Sequence, residues 1–216
     1  SIPIYDLHLT YSQTIKNQFI KRYPSISIDV LPFGYHAYVK ELEFNQKEIM
    51  AICFIGQADK ERANIIQSLI NSNLEVHLYG NNWTDYFTSG NLLQIYNPVE
   101  GTEYWNTLNK YRVQLNLLRS HNEDSHNMRS FEIPGSGAIM LTKKTTEHNL
   151  FFKDNWSYFS YSNDKEIIEK ARYILSLSKD AASKIRYQAK KSSDHYSYFY
   201  RAKKFISILE NKVHEQ

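Results

Sequence analysis

The chain has 216 residues, and 26 Lys and Arg against 23 Asp and Glu give it a formal net charge of +3. This length suits one large domain or one and a fraction, and the balanced charge does not indicate a strongly basic nucleic-acid-binding protein. A hydrophobic share of 42% excludes a disordered chain, and the single Cys excludes a disulfide framework or a multi-thiolate metal site.

The sequence contains no apolar run long enough for a transmembrane helix and no signal peptide at its start. We therefore expect a soluble protein in a reducing compartment, the cytoplasm. The first residue is Ser1 rather than Met, so we also expect a piece of a longer chain or a processed one.

The first 33 residues have the pattern of one β-α-β unit. Ile4–Leu9 and Ile26–Leu31 have the character of short strands, and Gln13–Arg22 is a predicted helix with Ser12 as its N-cap. A Pro-Phe-Gly break follows, and residues 34–48 show no sustained period, so we expect a linker there.

Strands and helices alternate through residues 49–194, which predicts an α/β fold with a Rossmann-like parallel sheet and flanking helices. The apolar run Met50–Ile55 is typical of a strand that is buried on both faces, and Asp59 can cap the helix that follows it. Further predicted strands are Glu75–Tyr79, Leu92–Tyr96, Arg112–Leu117, Ala138–Thr142 and Tyr158–Tyr161. Further predicted helices are Gly101–Lys110, one that begins after a capping box at Asn163, Lys179–Lys191, and Tyr196–Val213 within a C-terminal segment 195–216.

The loop after Ile55 is the first candidate binding site, because ligands of open α/β sheets bind beyond the carboxyl ends of the strands. Gly56 would let a ligand approach the backbone, and Lys60 and Arg62 in the first helical turn could meet phosphate oxygens. The alternative is that Gly56 only makes a turn and both cations are solvated.

Residues 126–138 form the second candidate site. Asn127 can cap a helix whose first turn carries Arg129, which would aim backbone amides and a guanidinium at a diphosphate. Glu132 lies one turn further and could accept hydrogen bonds from sugar hydroxyls, while Pro134 is expected to stop or kink the helix early. The alternative is that Arg129 and Glu132 are an ordinary surface ion pair.

Three other features leave alternatives open. The polar loop 121–126 could hold a metal ion, or it is solvated or contacts a ligand directly. Cys53 lies in an apolar strand, which indicates a buried thiol, and Trp83 either stacks on a base or belongs to the core. The chain has neither a Gly-x-Ser-x-Gly elbow nor a His-Glu-x-x-His motif, so the common hydrolase and metalloprotease classes have no support.

The order of these segments resembles the C-terminal half of the spore maturation protein (CgeB-like) glycosyltransferases, relatives of the group 1 glycosyltransferases with the two-domain GT-B fold. The most specific match is Asn127-Met128-Arg129-Ser130-Phe131-Glu132-Ile133-Pro134 with Gly137-Ala138. Weaker matches are Leu31-Pro32-Phe33-Gly34, Phe54-Ile55-Gly56 with Arg62, Leu78-Tyr79-Gly80-Asn81-Asn82-Trp83, Leu115-Asn116-Leu117, Asn149-Leu150-Phe151, and His195-Tyr196 with Arg201.

The resemblance implies that residues 49–194 bind a nucleotide-diphosphate sugar and that residues 1–33 are the tail of an N-terminal acceptor domain. It implies that Glu132 binds the donor ribose, that the helix start near Asn127 and Arg129 faces the diphosphate, and that Asp124 has the spacing of a donor-sugar contact. The full set expected to bind the donor is Gly56, Gln57, Lys60, Arg62, Gly80, Asn116, Asp124, Asn127, Met128, Arg129 and Glu132.

The resemblance thus predicts a bacterial, cytoplasmic glycosyltransferase that uses no metal and no cofactor besides its donor substrate. Its acceptor would be a glycan, a lipid or a protein and not a nucleic acid, and no catalytic residue can be named in this chain. Two alternatives stay open, namely a nucleotide-sugar-binding domain without activity of its own and an α/β domain that binds a protein partner.

Overall fold

The computed structural model describes residues 4–36, 48–120 and 125–214, which form two parallel sheets and their helices. The smaller sheet has 2 strands, β1 (His8–Thr10) and β2 (Ile28–Val30), and the helix α1 (Gln13–Arg22) connects them. The larger sheet has 6 strands in the order β5-β4-β3-β6-β7-β8. The predicted α/β class with a parallel Rossmann-like sheet is confirmed.

The strands of the larger sheet are β3 (Ile49–Ile55), β4 (Val76–Tyr79), β5 (Leu93–Tyr96), β6 (Tyr111–Asn116), β7 (Met140–Lys143) and β8 (Phe159–Tyr161). The helices after α1 are α2 (Lys60–Asn71), α3 (Gly101–Lys110), α4 (Arg129–Gly135), α5 (His148–Phe151), α6 (Asp164–Ser176), α7 (Lys179–Ser193) and α8 (Tyr198–His214). The strand order reverses between the neighbours β3 and β6, which is the place where ligands of such sheets bind.

Side-chain caps begin three of the helices at the predicted positions. Ser12 accepts a hydrogen bond from the backbone of α1, Asp59 from that of α2 and Asn163 from that of α6. Each oxygen satisfies an amide group that has no partner within its own helix, so the cap fixes where the helix begins. The caps therefore bear out the predicted helix starts.

The central strand β3 is buried on both faces, as its continuous apolar run predicts. Ile52 and Phe54 lie in a core formed with α2 and α6, whereas Cys53 and Ile55 lie in a second core on the side of α3 and α4. Cys53 is a buried free thiol, and burial raises its pKa. The prediction of a buried thiol is confirmed.

Most predicted strands begin or end one to four residues away from the predicted position, and so do two of the helices; the first strand and the last helix show why. The first strand covers His8–Thr10 instead of Ile4–Leu9, because only these residues are in register with β2, and Ile4 is 70% exposed. The last helix begins at Tyr198 instead of Tyr196, because the preceding residues form a 3-10 turn and Ser197 bridges to Tyr35.

The two ends of the predicted linker are packed against the rest of the protein. The Tyr35 amide donates to the Tyr196 carbonyl, and the Tyr198 amide donates to the Tyr35 carbonyl. Glu48 forms ion pairs with two buried arginines. Residues 37–47 of the predicted linker lie outside the described part of the chain. None of the described helices is both long and apolar enough to cross a membrane.

Candidate functional site

The loop between β3 and α2 is held by hydrogen bonds to the loop after β4. The Gly56 amide donates to the Tyr79 carbonyl at 2.7 Å, and the Gly56 carbonyl accepts from Nε1 of Trp83 at 2.8 Å. A Cβ on Gly80, which has φ +147°, would lie 2.2 Å from the Gly56 carbonyl oxygen. Both backbone groups of Gly56 are thus used inside the protein, and Gly80 is the glycine that the close approach requires.

Trp83 belongs to the core. Its side chain is 1% exposed, and its ring packs edge-on against Phe54. Of the two alternatives for this residue, the structure therefore bears out the core aromatic and not a platform for a base.

Arg62 connects this loop to the end of β6. Its Nη1 donates to the Gln57 carbonyl and its Nη2 to the Leu117 carbonyl, both at 3.0 Å, while Asp59 lies 3.5 Å from its Nε. Burial lowers the pKa of Arg62, and the positive charge of Arg119 acts in the same direction, against the opposing effect of Asp59. The solvated alternative is wrong for Arg62, whose side chain is 11% exposed.

Lys60 and Gln57 differ from Arg62 in being exposed at this edge. An exposed lysine suits both alternatives, so the phosphate contact of Lys60 stays a prediction. Both side chains project from the segment at which α2 begins, where backbone amides face outwards.

Asn116 and Asn127 fix the start of α4. The Asn127 amide group donates to Oδ1 of Asn116 at 2.9 Å, and Asn116 in turn donates to the Ser130 hydroxyl at 3.2 Å. The Ser130 amide donates to Oδ1 of Asn127 at 3.0 Å, so Asn127 caps the helix as predicted. His148 forms a further hydrogen bond with the Ser130 hydroxyl. Asn116 is fully buried and shapes the site from within.

The next residues of α4 lie at the surface of the site. Met128 is exposed, and Arg129 is partly buried with an Nε that has no hydrogen-bond partner among the described residues. Pro134 lies in the last turn of this 7-residue helix, which ends at Gly135, in agreement with the predicted early stop.

Glu132 is bonded to a residue that the sequence did not indicate. The Tyr104 hydroxyl donates to Oε2 of Glu132 at 2.6 Å. The ion pairs of the described residues do not include one between Arg129 and Glu132, so the surface-pair alternative is wrong. The sequence offered one signal for Tyr104, namely its position in the first turn of α3, the helix that follows β5.

A cavity of about 570 Å³ opens at the carboxyl ends of β6, β7 and β8. Arg62 and Glu61 line it from α2, and three exposed cations line it from the loops, namely Arg119, Lys143 and Lys144. These three were not among the residues that the sequence indicated, although each of them stands at or just after the carboxyl end of a strand in that sheet.

His126 and Glu147 are buried together at the loop that precedes α4. Nδ1 of His126 donates to Oε2 of Glu147 at 2.6 Å, and Nε2 accepts from the Phe33 amide at 3.4 Å. Burial lowers the pKa of His126, although Glu147 opposes this shift. Both ring nitrogens are therefore occupied by the protein.

The loop 121–126 was given a metal site as one alternative. In the part of the chain that the structure describes, no group of three His, Cys, Asp or Glu side chains could hold an ion. Residues 121–124, including Asp124, lie outside the described residues. The role expected of Asp124 stays a prediction.

Solved structures show which class of protein has this fold. The chain superposes on Anabaena HepE in complex with UDP and glucose with a TM-score of 0.76 and 11% identity, over 97% of this chain and 64% of that one. It superposes on a glycosyltransferase from Rickettsia africae ESF-5 with a TM-score of 0.73 and 13% identity, over 95% and 63%. For the pneumococcal O-GlcNAc transferase GtfA in complex with UDP and GlcNAc the TM-score is 0.67 and the identity 13%, over 97% and 46%.

The fold is therefore that of glycosyltransferases, and the chain spans about half to two thirds of the length of these structures. The family model described as glycosyl transferase-like matches residues 60–207. The chain belongs to this glycosyl transferase-like family. No curated protein matches the chain in sequence.

Proposed function

We propose that this chain is the donor-binding part of a glycosyltransferase, and that it binds a nucleoside-diphosphate sugar where β3 and β6 end. The observation that carries the proposal is the cavity at the carboxyl ends of the strands, which Arg62 and Arg119 line together. The charge of Arg129 adds to theirs, because Arg119 and Arg129 both lower the pKa of the buried Arg62. Within the described residues neither Arg119 nor Arg129 has a carboxylate partner. Such an excess of positive charge favours a bound polyanion.

The chemistry of sugar transfer fits these groups. An acceptor oxygen bonds to the anomeric carbon while the bond from that carbon to the phosphate oxygen breaks, and the departing nucleoside diphosphate takes up negative charge. Guanidinium groups that are fixed before the reaction stabilise this charge, because they bind phosphate oxygens in a bidentate manner. We propose this role for Arg119 and Arg129, without a metal ion. Arg62, whose Nη atoms donate to the Gln57 and Leu117 carbonyls, contributes its positive charge to the same site. The acceptor proton passes to a base that we assign to no residue of this chain.

We propose that Glu132 binds the ribose of the donor. Its carboxylate is partly exposed, and Oε1 has no hydrogen-bond donor among the described residues. Ribose hydroxyls are suitable donors for such an oxygen. Asn116, Asn127 and Gly80 act by shaping the two loops, since their contacts are within the protein.

We further propose a CgeB-like, bacterial enzyme that works in the cytoplasm. The motif of residues 127–138 supports the subfamily, and Cys53, a buried thiol without a disulfide, supports a reducing compartment. The acceptor is a glycan, a lipid or a protein. UDP is the first nucleotide to test, because HepE and GtfA were solved with it.

Two substitutions test the proposal by calorimetric titration with UDP and with UMP. Glu132→Ala should weaken the binding of both nucleotides by about 1–3 kcal/mol, because both carry the ribose. Arg129→Ala should weaken UDP more than UMP, because only UDP has the second phosphate. Lys184→Ala, at an exposed position of α7, is the control and should change neither affinity. An unchanged UDP affinity in folded Glu132→Ala protein would contradict the ribose assignment.

A further inference from the structure

We propose that Tyr104 is a positioning residue of the donor site, whose hydroxyl holds one oxygen of Glu132 so that the other oxygen faces a ribose hydroxyl. The inference rests on the proposed function, since it concerns the ribose contact of Glu132. Tyr104 belongs to none of the motifs that the sequence indicated, and it comes from a different helix than Glu132.

The hydrogen bond is short and involves only one oxygen of the Glu132 carboxylate. The Tyr104 hydroxyl donates to Oε2 of Glu132 at 2.6 Å, the length expected for a hydroxyl that donates to a carboxylate. A phenol has a single hydrogen to donate, so it engages a single carboxylate oxygen. Oε1 of Glu132 is left without a hydrogen bond from the described residues.

Both partners lie on helices that are packed against the core. The Tyr104 ring packs on the core between the sheet and α4, with Trp105 edge-on at 5.3 Å, and the same helix buries Leu108. On α4, Phe131 and Ile133, the neighbours of Glu132, are buried at 0% and 1% exposure. The hydrogen bond therefore joins two fixed positions.

This hydrogen bond restricts the rotation of the Glu132 carboxylate. The terminal torsion of a Glu side chain is broad, so an unrestrained carboxylate samples many orientations. Burial and the adjacent charge of Glu132 raise the pKa of Tyr104, so the phenol stays protonated and remains a donor near neutral pH. A carboxylate that is already oriented loses less entropy when the ribose binds.

The experiment compares Tyr104→Phe with the wild-type chain in calorimetric titrations with UDP, 2′-deoxy-UDP and 3′-deoxy-UDP. We expect UDP affinity to fall about 3- to 10-fold, which corresponds to one modest hydrogen-bond contribution. One of the two deoxy nucleotides lacks the hydroxyl that Glu132 binds. The ratio of the UDP affinity to the affinity for that nucleotide should fall by a similar factor in Tyr104→Phe. In the Glu132→Ala background the same change should have no further effect, since the two residues act as one unit.

Tyr187→Phe is the matched control, because it removes the hydroxyl of an exposed tyrosine on α7. It should leave every affinity unchanged. Thermal unfolding of each variant shows that it is folded.

The possible failures are distinct. If the wild-type chain binds UDP, and Glu132→Ala weakens it but Tyr104→Phe does not, the positioning role is wrong and the proposed function stands. If Tyr104→Phe weakens UDP and both deoxy nucleotides equally, the residue is structural, and the proposal is also wrong. A first titration with UDP, GDP and CMP selects the base for the deoxy series. If the wild-type chain binds none of the three, the proposed function fails and this inference fails with it.

Discussion

At the scale of single residues, Gly80 lies where the two loops of the candidate site are in close contact. The backbone there has φ +147°, and an added Cβ would lie 2.2 Å from the Gly56 carbonyl oxygen and 3.3 Å from the Gln57 amide nitrogen. These neighbours are backbone atoms that cannot rotate away, so a side chain would displace the whole β3–α2 loop. Only glycine fits this place without strain.

Gly80→Ala should therefore lower the free energy of unfolding by about 2–4 kcal/mol, the sum of a backbone strain and a steric overlap. Urea denaturation at neutral pH measures the change. Gly90→Ala is the control, because nothing lies within 4 Å of a Cβ at that position. Equal stability of the two variants would show that the loops are free to separate.

The sequence indicated which residues belong to the site better than it indicated which of them contact each other. Asn127 was recognised as a cap because its oxygen bonds a nearby backbone amide, a local relation that sequence spacing determines. Tyr104 and Arg119 were missed because their proximity to Glu132 and Arg62 arises from packing between distant segments. Asp124 stays a prediction because it lies outside the described residues.

At the scale of elements, Glu48 joins the start of β3 to β6 and α7. Its carboxylate pairs with Arg112 of β6 at 2.6 Å and also with Arg186 of α7. Arg112 in turn donates to the Leu177 carbonyl, and Arg186 donates to the Tyr111 carbonyl. Both arginines are buried, so without Glu48 two positive charges would face each other in the interior.

Glu48→Gln should destabilise the protein by about 3 kcal/mol at pH 7, because it leaves buried charges without a counterion. Burial alone would raise the pKa of Glu48, but the two arginines hold it below its ordinary value of 4.5. The contribution is therefore complete above that value and is lost as the pH falls through the lower folded pKa. Denaturation of both proteins at several pH values should show the difference shrinking below about pH 4.

The control for this prediction is Glu169→Gln, since Glu169 forms an exposed pair with Lys165 at 3.8 Å. That change should stay within about 0.5 kcal/mol. If Glu48→Gln changes the free energy of unfolding at pH 7 by an equally small amount, the proposed role of Glu48 between Arg112 and Arg186 is wrong.

The sequence predicted most elements because their causes are local. Gly101–Lys110 and Gln13–Arg22 have the predicted bounds, and the caps are in the predicted places. Two of the ends that moved were decided by pairing with another segment, namely β1 and the residues before Tyr198. Periodicity cannot detect such pairing, because it concerns neighbours along the chain.

At the scale of the whole molecule, Glu147 connects the small sheet unit to the large one. Oε1 accepts hydrogen bonds from the Ser12 hydroxyl at 2.7 Å and from the Gln13 amide at 2.8 Å, where α1 begins. Oε2 accepts from the Ser125 hydroxyl at 2.8 Å and from His126, just before the cap of α4. One carboxylate thus links α1 to the loop that shapes the candidate site. Ser12 and Glu147 are 135 positions apart, so no spacing argument could have found the contact.

Glu147→Gln should loosen this connection, because an amide nitrogen would then face groups that are themselves donors. We expect a loss of about 2–4 kcal/mol in stability, since a buried charged acceptor is removed. Hydrogen exchange should accelerate more in α1 than in β3 or β6. Glu210→Gln, at an exposed position of α8, should change neither quantity. Uniform acceleration across both sheets would contradict a local connection.

The central claim is that this chain binds a nucleoside diphosphate at the carboxyl edge of its six-stranded sheet. A thermal-shift screen of the purified chain against UDP, GDP, CMP and their sugar conjugates, with and without Mg²⁺, tests it most directly. A nucleotide at ten times its dissociation constant stabilises the fold by about 1.4 kcal/mol, which is a measurable shift. We expect stabilisation by one nucleoside diphosphate and its sugar conjugate, independent of Mg²⁺ and reduced by Glu132→Ala. No shift with any nucleotide would contradict the central claim, whereas an undiminished shift in Glu132→Ala would contradict only the ribose assignment.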